Sequence, residues 1–337
     1  MPTETDRMVT SPDISFRSTR VVDDALFEGQ LQRVVAHTKH PNVGIFGPES
    51  VSWQINREAI LFMGAGRATL LQLAHPWVAT AMAHHSSVKT DVIGRFHRTF
   101  NIVFSMVFGT LDHALHTARI MHSRHQGITG PLCDTQPSSQ PVPHYSANDI
   151  DAMLWVYATL IETAAKMYEL IFPPLTDEQK EQYYHESWLF GLLFGLPEDT
   201  FPQTWQAFLD YNRTMWSSDV LTVSTAGKEL GQFLMYDLWE DERSGRRQLA
   251  HYYRALTLGF LPEPILTQYG FDYGIREQRV AENTLHWIRR IYPYIPKQIR
   301  FVPPYHEATG RVSGRKKPSW LTRYLNTHWV GQPTLVS

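Results

Sequence analysis

The sequence predicts an all-α protein with a single, mainly helical domain. Apolar residues recur at helical rather than alternating spacing, as at Leu70, Leu73, Ala74, Trp77, Val78 and Met82. Cap residues and prolines punctuate the chain at helix-length intervals, while strand signals are scarce. No linker cleanly separates two cores, so the expected organisation is an N-terminal extension over 1–44, a helical body over 45–305 and a basic C-terminal tail over 306–337.

Each element has its own signal. The Ala-, Leu- and Met-rich stretch from Ile60 to Ala83 predicts a helix that Pro76 kinks or divides. Arg95 to Phe108 repeats the pattern. Thr110-Leu-Asp112 reads as a cap opening a helix to about His125, which Gly127 can end. Pro131, Pro137, Pro141 and Pro143 make residues 131–144 a loop. Ser146-Ala-Asn148-Asp149 begins the next helix, striped by Met153, Leu154, Tyr157, Leu160, Ile161 and Ala164 until Pro173-Pro174. Thr176-Asp-Glu-Gln179 is a capping-box sequence for a helix to Gly195. Helices over Thr204 to Met215, Ser224 to Leu238 and Gln248 to Leu258 complete the body. Beyond Glu307 no acidic residue follows, and Arg311, Arg315, Lys316, Lys317 and Arg323 read as a solvated basic tail.

Composition narrows the function. With 43% hydrophobic and 19% charged residues over 337 positions, the chain can bury a large core and is not disordered. The balance of 31 basic and 33 acidic groups gives no electrostatic footprint for nucleic acid. The lone Cys133 excludes an internal disulfide framework, a Cys-x-x-Cys redox pair, an iron–sulfur site and covalent c-type haem. The polar start Met1-Pro-Thr-Glu-Thr-Asp-Arg7 lacks an export signal, and apolar runs are interrupted by Arg67, Gln72, His75 and Pro76. The expectation is a soluble, cytoplasmic protein without a transmembrane anchor.

Several chemistries have no foothold. Gly64-Ala-Gly66-Arg-Ala-Thr69 imitates a dinucleotide-binding turn, but Thr69 replaces the third glycine and no acidic residue follows at the required distance. Close helix packing is the favoured reading of those glycines. No Gly-x-Ser-x-Gly elbow and no Lys-Ser/Thr phosphate loop occurs. Histidine is the unusual feature. Of sixteen, His84, His85, His97, His113, His116, His122 and His125 fall close together. At about 100° per residue, His113 and His116 point one way and His122 and His125 roughly the opposite way. That leaves a non-haem metal with a carboxylate, or one histidine as axial ligand of a haem. A di-iron carboxylate site would need Glu-x-x-His pairs that this region lacks. Phe96, Phe100, Ile102, Val103, Met106, Val107 and Phe108 could line a haem pocket or be plain core.

Gly64-Ala-Gly-Arg-Ala-Thr-Leu-Leu-Gln-Leu-Ala-His-Pro76, His85-Ser86 and Gly94-Arg-Phe-His-Arg-Thr99 together resemble a known family. It is the catalytic-domain family of rubber oxygenases (latex clearing proteins) and the ER-bound oxygenase of mycophenolic acid biosynthesis. The likeness continues in order through His125-Gln-Gly-Ile-Thr-Gly130, Ala147-Asn-Asp149, Leu154-Trp-Val-Tyr-Ala-Thr-Leu160, Pro174-Leu-Thr176 and Phe260-Leu-Pro-Glu263, roughly residues 45–270. The resemblance implies a globin-like haem-binding core, haem b (iron) held non-covalently, and attack by dioxygen on a lipophilic substrate. It makes His125 the iron ligand, with His122 one turn earlier as rival. It places the distal motif on Arg95-Phe-His-Arg98-Thr99, where Arg98 replaces a lysine and, permanently protonated, has no lone pair for iron. Tyr157 stands where many relatives have histidine and receives no catalytic role, while His84 or His85 could take part in distal hydrogen bonding.

The resulting expectation is a haem-b-dependent oxygenase acting on a terpenoid, lipid or polyketide-like small molecule, with room for a redox partner. His125 holds iron, Arg98, Thr99 and His85 form the distal shell, and Arg95 or Arg67 neutralises propionates. The alternatives are a haem sensor or carrier without turnover, and a metal-free helical interaction protein.

Overall fold

A computed structural model describes residues 20–132, 144–239, 244–315 and 317–336. Sixteen α-helices and one two-stranded ladder form the described chain, which is all-α. The order runs α1 (Asp24–His37), α2 (Val51–Asn56), α3 (Ala65–Leu73), α4 (Pro76–His85), α5 (Val92–Phe108) and α6 (Leu111–Gln126). After the ladder come α7 (Ile150–Ile171), α8 (Asp177–Leu193), α9 (Trp205–Trp216), α10 (Thr225–Met235), α11 (Ser244–Gly259) and α12 (Glu263–Tyr269). Next are α13 (Ile275–Ile291), α14 (Lys297–Arg300), α15 (Pro303–Val312) and α16 (Trp320–Trp329).

The punctuation residues set the boundaries. Pro76 divides its segment: a 3-10 turn over Ala59–Gly64 and α3 precede it, and α4 starts with Pro76 behind the N-cap His75. His75 is buried, and burial lowers its pKa from 6.5 to about 4. The ring therefore stays neutral, leaving Nδ1 free to accept the Trp77 amide at 3.3 Å. Asp91, Thr110, Asp149, Thr204 and Ser224 cap α5, α6, α7, α9 and α10. Thr176 and Gln179 form the reciprocal capping box of α8.

Three details differ from expectation. The 131–144 segment is flanked by an antiparallel ladder of β1 (Thr129–Pro131) and β2 (His144–Ser146), too short to leave an alternating pattern, while Cys133 and the other prolines lie outside the described residues. The helix beginning after Ser224 stops at Met235 and passes into a 3-10 turn over Asp237–Trp239. The segment read as a solvated basic tail keeps Arg315, Lys317 and Arg323 exposed but packs at Glu307 and Arg311. Glu307 is 2% exposed and accepts from the Leu335 amide and Asn326 Nδ2. Arg311 donates to the carbonyls of Asn42, Val43, Phe108 and Val336. Basic side chains suggest solvation in a sequence, but a guanidinium that finds four carbonyls belongs to the body.

The core centres on α7, whose 22 residues bury Met153, Trp155, Tyr157, Ile161 and Tyr168 among others. Such near-complete burial is what an all-round apolar helix requires. Buried aromatic polar atoms find backbone acceptors: Trp155 Nε1 donates to Leu71 O at 2.9 Å, Trp53 Nε1 to Val107 O at 2.9 Å and Tyr269 Oη to Leu70 O at 2.7 Å. The Gly64–Gly66 turn packs α3 against α7 and α11. A Cβ at Gly64 would lie 2.6 Å from Met167 Cγ and Thr163 Cγ2, and one at Gly66 2.8 Å from Thr257 Oγ1 and Tyr253 Oη. These glycines serve close packing.

Candidate active site

One face of α5 forms the wall of a cavity of about 280 Å³. Arg95, Phe96, Thr99, Phe100, Val103, Phe104 and Val107 recur at three- and four-residue intervals, so a single helix face carries them all. The opposing walls come from α3 (Ala65, Ala68, Thr69, Gln72), α7 (Leu160, Ile161, Thr163, Ala164) and α8 (Tyr183, Ser187, Phe190). Phe96 and Thr99 are exposed whereas Phe104 and Val107 are buried, which sets the mouth at the start of α5 and the floor near its end.

The lining is dominated by aromatic carbon. Phe62 lies 5.5, 4.4 and 6.1 Å from the ring centroids of Phe96, Phe100 and Phe104, and Trp329 of α16 closes on Phe62 at 4.7 Å. Tilted and edge contacts at these spacings make a continuous wall. Polar groups are few. At the mouth, Arg95 is partly buried and no carboxylate pairs with it among the described residues. Burial lowers its pKa, with the neighbouring charge of Arg98 adding to the effect. Elsewhere in the lining, Glu58 is 1% exposed. Its Oε1 accepts from Arg300 Nη2 at 3.2 Å and its Oε2 from Tyr292 Oη at 3.2 Å. Burial nonetheless raises its pKa, against the pull of Arg300 and Arg57.

The structure brings Arg95 and Thr99 into the cavity and sets the other candidates elsewhere. Arg98 turns outward, its Nη1 donating to Asp91 Oδ2 at 3.0 Å and its Nη2 to Ser87 Oγ at 2.9 Å. His85 is exposed at the end of α4, and the Tyr145 hydroxyl lies 3.0 Å from its Nε2 and 3.2 Å from His84 Nδ1. Arg67 is wholly buried in an ion pair with Glu162, with further hydrogen bonds to Thr163 Oγ1 and Phe260 O. His122 stacks on Phe27 of α1 with centroids 4.1 Å apart, and its Nε2 lies 3.1 Å from Asp24 Oδ1.

His125 sits across the α5–α6 hairpin from Arg95, close enough for the guanidinium charge to act on it. Burial is the main cause that lowers its pKa to about 4, aided by His122 and opposed by the Asn148 side chain. Its Nδ1 is buried without a hydrogen bond of ordinary geometry, as is Asn148 Oδ1. A b-type haem needs an apolar recess and a neutral donor nitrogen. The cavity answers the first need and His125 the second. No imidazole is among the lining residues, and Arg95 adjoins both parts. Among the described residues no three His, Cys, Asp or Glu side chains converge as a metal site.

The sequence reading missed Glu58, Phe62, Phe104, Tyr183 and Ser187. Only Phe104 carried a local signal, the i+4 continuation of Phe96 and Phe100. Phe108 and Met106 are core, and Ile102 is not among the lining residues. Tyr157 is fully buried, its hydroxyl 2.6 Å from Ser187 Oγ at the cavity wall, and burial pushes its pKa far up, so it is a neutral phenol.

A family model described as the catalytic domain of ER-bound oxygenase mpaB/B' and rubber oxygenase matches residues 53–290. No curated protein and no solved structure matches the chain. No helix among the described residues is long and apolar enough to cross a membrane.

Proposed function

Because the chain belongs to the ER-bound oxygenase mpaB/B' and rubber oxygenase catalytic-domain family, we propose that it is a haem-b-dependent oxygenase using dioxygen on a lipophilic small molecule of terpenoid, lipid or polyketide type. The oxygenase function follows from the family. The finer reading rests on one observation: an apolar, aromatic-walled cavity with an unpaired arginine at its mouth, whose charge reaches the half-buried His125 that desolvation keeps neutral.

His125 is the residue that would hold iron, because its lone pair is unprotonated at neutral pH and its Nδ1 has no ordinary partner. His122 is committed to Asp24 and Phe27, which favours His125 over it. When bound, haem supplies the activation of dioxygen, and the protein supplies ligation, polarity and access. Arg95 offers a positive charge to a propionate or another carboxylate at the mouth. Thr99 adds a hydroxyl next to it, and the Phe62–Phe100–Phe104 wall excludes water from an apolar substrate. Arg98, His84 and His85 hold the end of α4 and the start of α5 through Asp91, Ser87 and Tyr145. Arg67 fastens α3 to α7.

The test is an absorption spectrum with a pyridine haemochrome assay on the purified chain. The expected result is a Soret band, about one b-type haem per chain, loss of most haem in His125→Ala and retention in His122→Ala. Stoichiometric haem in His125→Ala would overturn the ligand. Absence of haem after haem-supplemented expression would overturn the cofactor. Incorporation of labelled dioxygen into an apolar product, followed by mass spectrometry, then tests the substrate class.

A further inference from the structure

We infer that the outer face of the elbow between α13 and α14 docks on a membrane surface rich in anionic headgroups. Trp287 is 59% exposed, Ile291 55%, Tyr294 85% and Ile299 63%. Trp287 and Ile291 are one helical turn apart and so share a face, and Tyr294 and Ile299 continue the surface around the turn over Tyr292–Tyr294. Single apolar side chains this open occur elsewhere on the chain, but four grouped at one elbow make a patch of the kind that marks an interaction surface. A tryptophan, a tyrosine and two isoleucines are the residue types that settle at the boundary of headgroups and acyl chains.

Charge selects the partner. From 283 to 306 the sequence has no acidic residue, while Arg290 and Lys297 are exposed within the apolar stripe. Basic side chains beside such a stripe add attraction to an anionic leaflet. The same charges argue against a second copy of the chain, because a two-fold contact on this face would bring like charges together.

The inner side of the elbow connects to the cavity. Tyr292, next to Ile291 in the chain, is buried, and its hydroxyl accepts from the Ile60 amide at 2.9 Å and lies 3.2 Å from Glu58 Oε2. Arg300 grips the other Glu58 oxygen. The elbow therefore reaches the cavity lining through Tyr292 and Glu58, so a lipid-dissolved substrate would be met on the side of the molecule that carries the cavity wall. The inference does not depend on which cofactor the cavity holds.

The test is flotation of the full chain with vesicles of phosphatidylcholine, with and without phosphatidylserine. Binding is expected only with phosphatidylserine, and high salt should weaken it. Trp287→Ser/Tyr294→Ser and Arg290→Glu/Lys297→Glu should each weaken it at least about tenfold, with circular dichroism and Tm unchanged because these side chains are exposed. Failure of the unaltered chain to bind phosphatidylserine vesicles would overturn the inference. So would unchanged binding by both variants, including the case in which Trp320→Ser/Tyr324→Ser on α16 abolishes it. A concentration-dependent dimer in sedimentation that Trp287→Ser/Tyr294→Ser dissolves would assign the face to a second copy instead.

Discussion

The cavity walls and the histidine end of α6 meet at Arg95 but are held together differently, the walls by an ion pair and the histidine end by neutral polar groups. The walls are apolar, and the main charged group behind them, Arg67, is closed in an ion pair with Glu162. The histidine end concentrates buried polar atoms without ordinary partners, at His122 Nδ1, His125 Nδ1 and Asn148 Oδ1. Its titratable groups are shifted toward neutral forms, His125 downward and Asp149 upward. An ion pair fastens a wall even though Arg67 Nη2 itself lacks a partner; unsatisfied neutral groups cost stability and mark where a ligand or a proton can be received.

The sharpest way to break the contrast is to open the closed pair. Glu162→Leu leaves Arg67 buried and uncompensated, with an expected loss of roughly 3–5 kcal/mol in denaturant unfolding. A loss below about 1 kcal/mol would mean that the walls do not depend on the pair.

The histidine end should instead respond to pH. His125 and His75 both titrate near 4 in the folded chain against 6.5 unfolded, so the unfolded state binds protons first. Their contribution is fully present above pH 6.5 and is lost as pH falls toward 4, on the order of 3 kcal/mol each at most. His125→Leu should flatten that part of the stability profile, read from Tm across the range. Asp149 runs the other way. Burial raises its pKa from 3.8 to about 6, so its contribution weakens as pH rises through that window. Asp149→Asn keeps a capping side chain and should stabilise above pH 6 by on the order of 1–3 kcal/mol, with no gain below pH 4.

The smallest effect belongs to the surface. Arg98→Ala removes an exposed pair with Asp91 and should leave Tm essentially unchanged. Arg95→Leu, three residues away, should leave stability similarly unchanged yet weaken binding of a carboxylate-bearing ligand by about tenfold or more, measured by titration. Equal binding by the two variants would erase the distinction between mouth and surface.

Local chemistry was legible in the sequence, and long-range partnership was not. Thr110, Asp149, Thr176 and Thr204 announce their helices because a cap acts within three residues. Arg95 and Arg98 look alike in the sequence, and only the packing of α5 decides that one lines the cavity while the other meets Asp91. Glu58 gave no sign of its place, since Tyr292 and Arg300 lie 234 and 242 positions away. His125 was found through family resemblance. Its neutrality comes from the tertiary surroundings, from desolvation and the charges of His122 and Arg95 against the pull of Asn148, and no spacing rule encodes it.

Arg311 has a consequence for the order of folding events. Its bonds to Phe108, Val43 and Asn42 span 203, 268 and 269 residues. Such a knot meets its loop-closure entropy before its own non-local contacts can reward it. Docking of the last helices through Arg311 is therefore a non-local step, whereas a capped helix closes within its own stretch of chain.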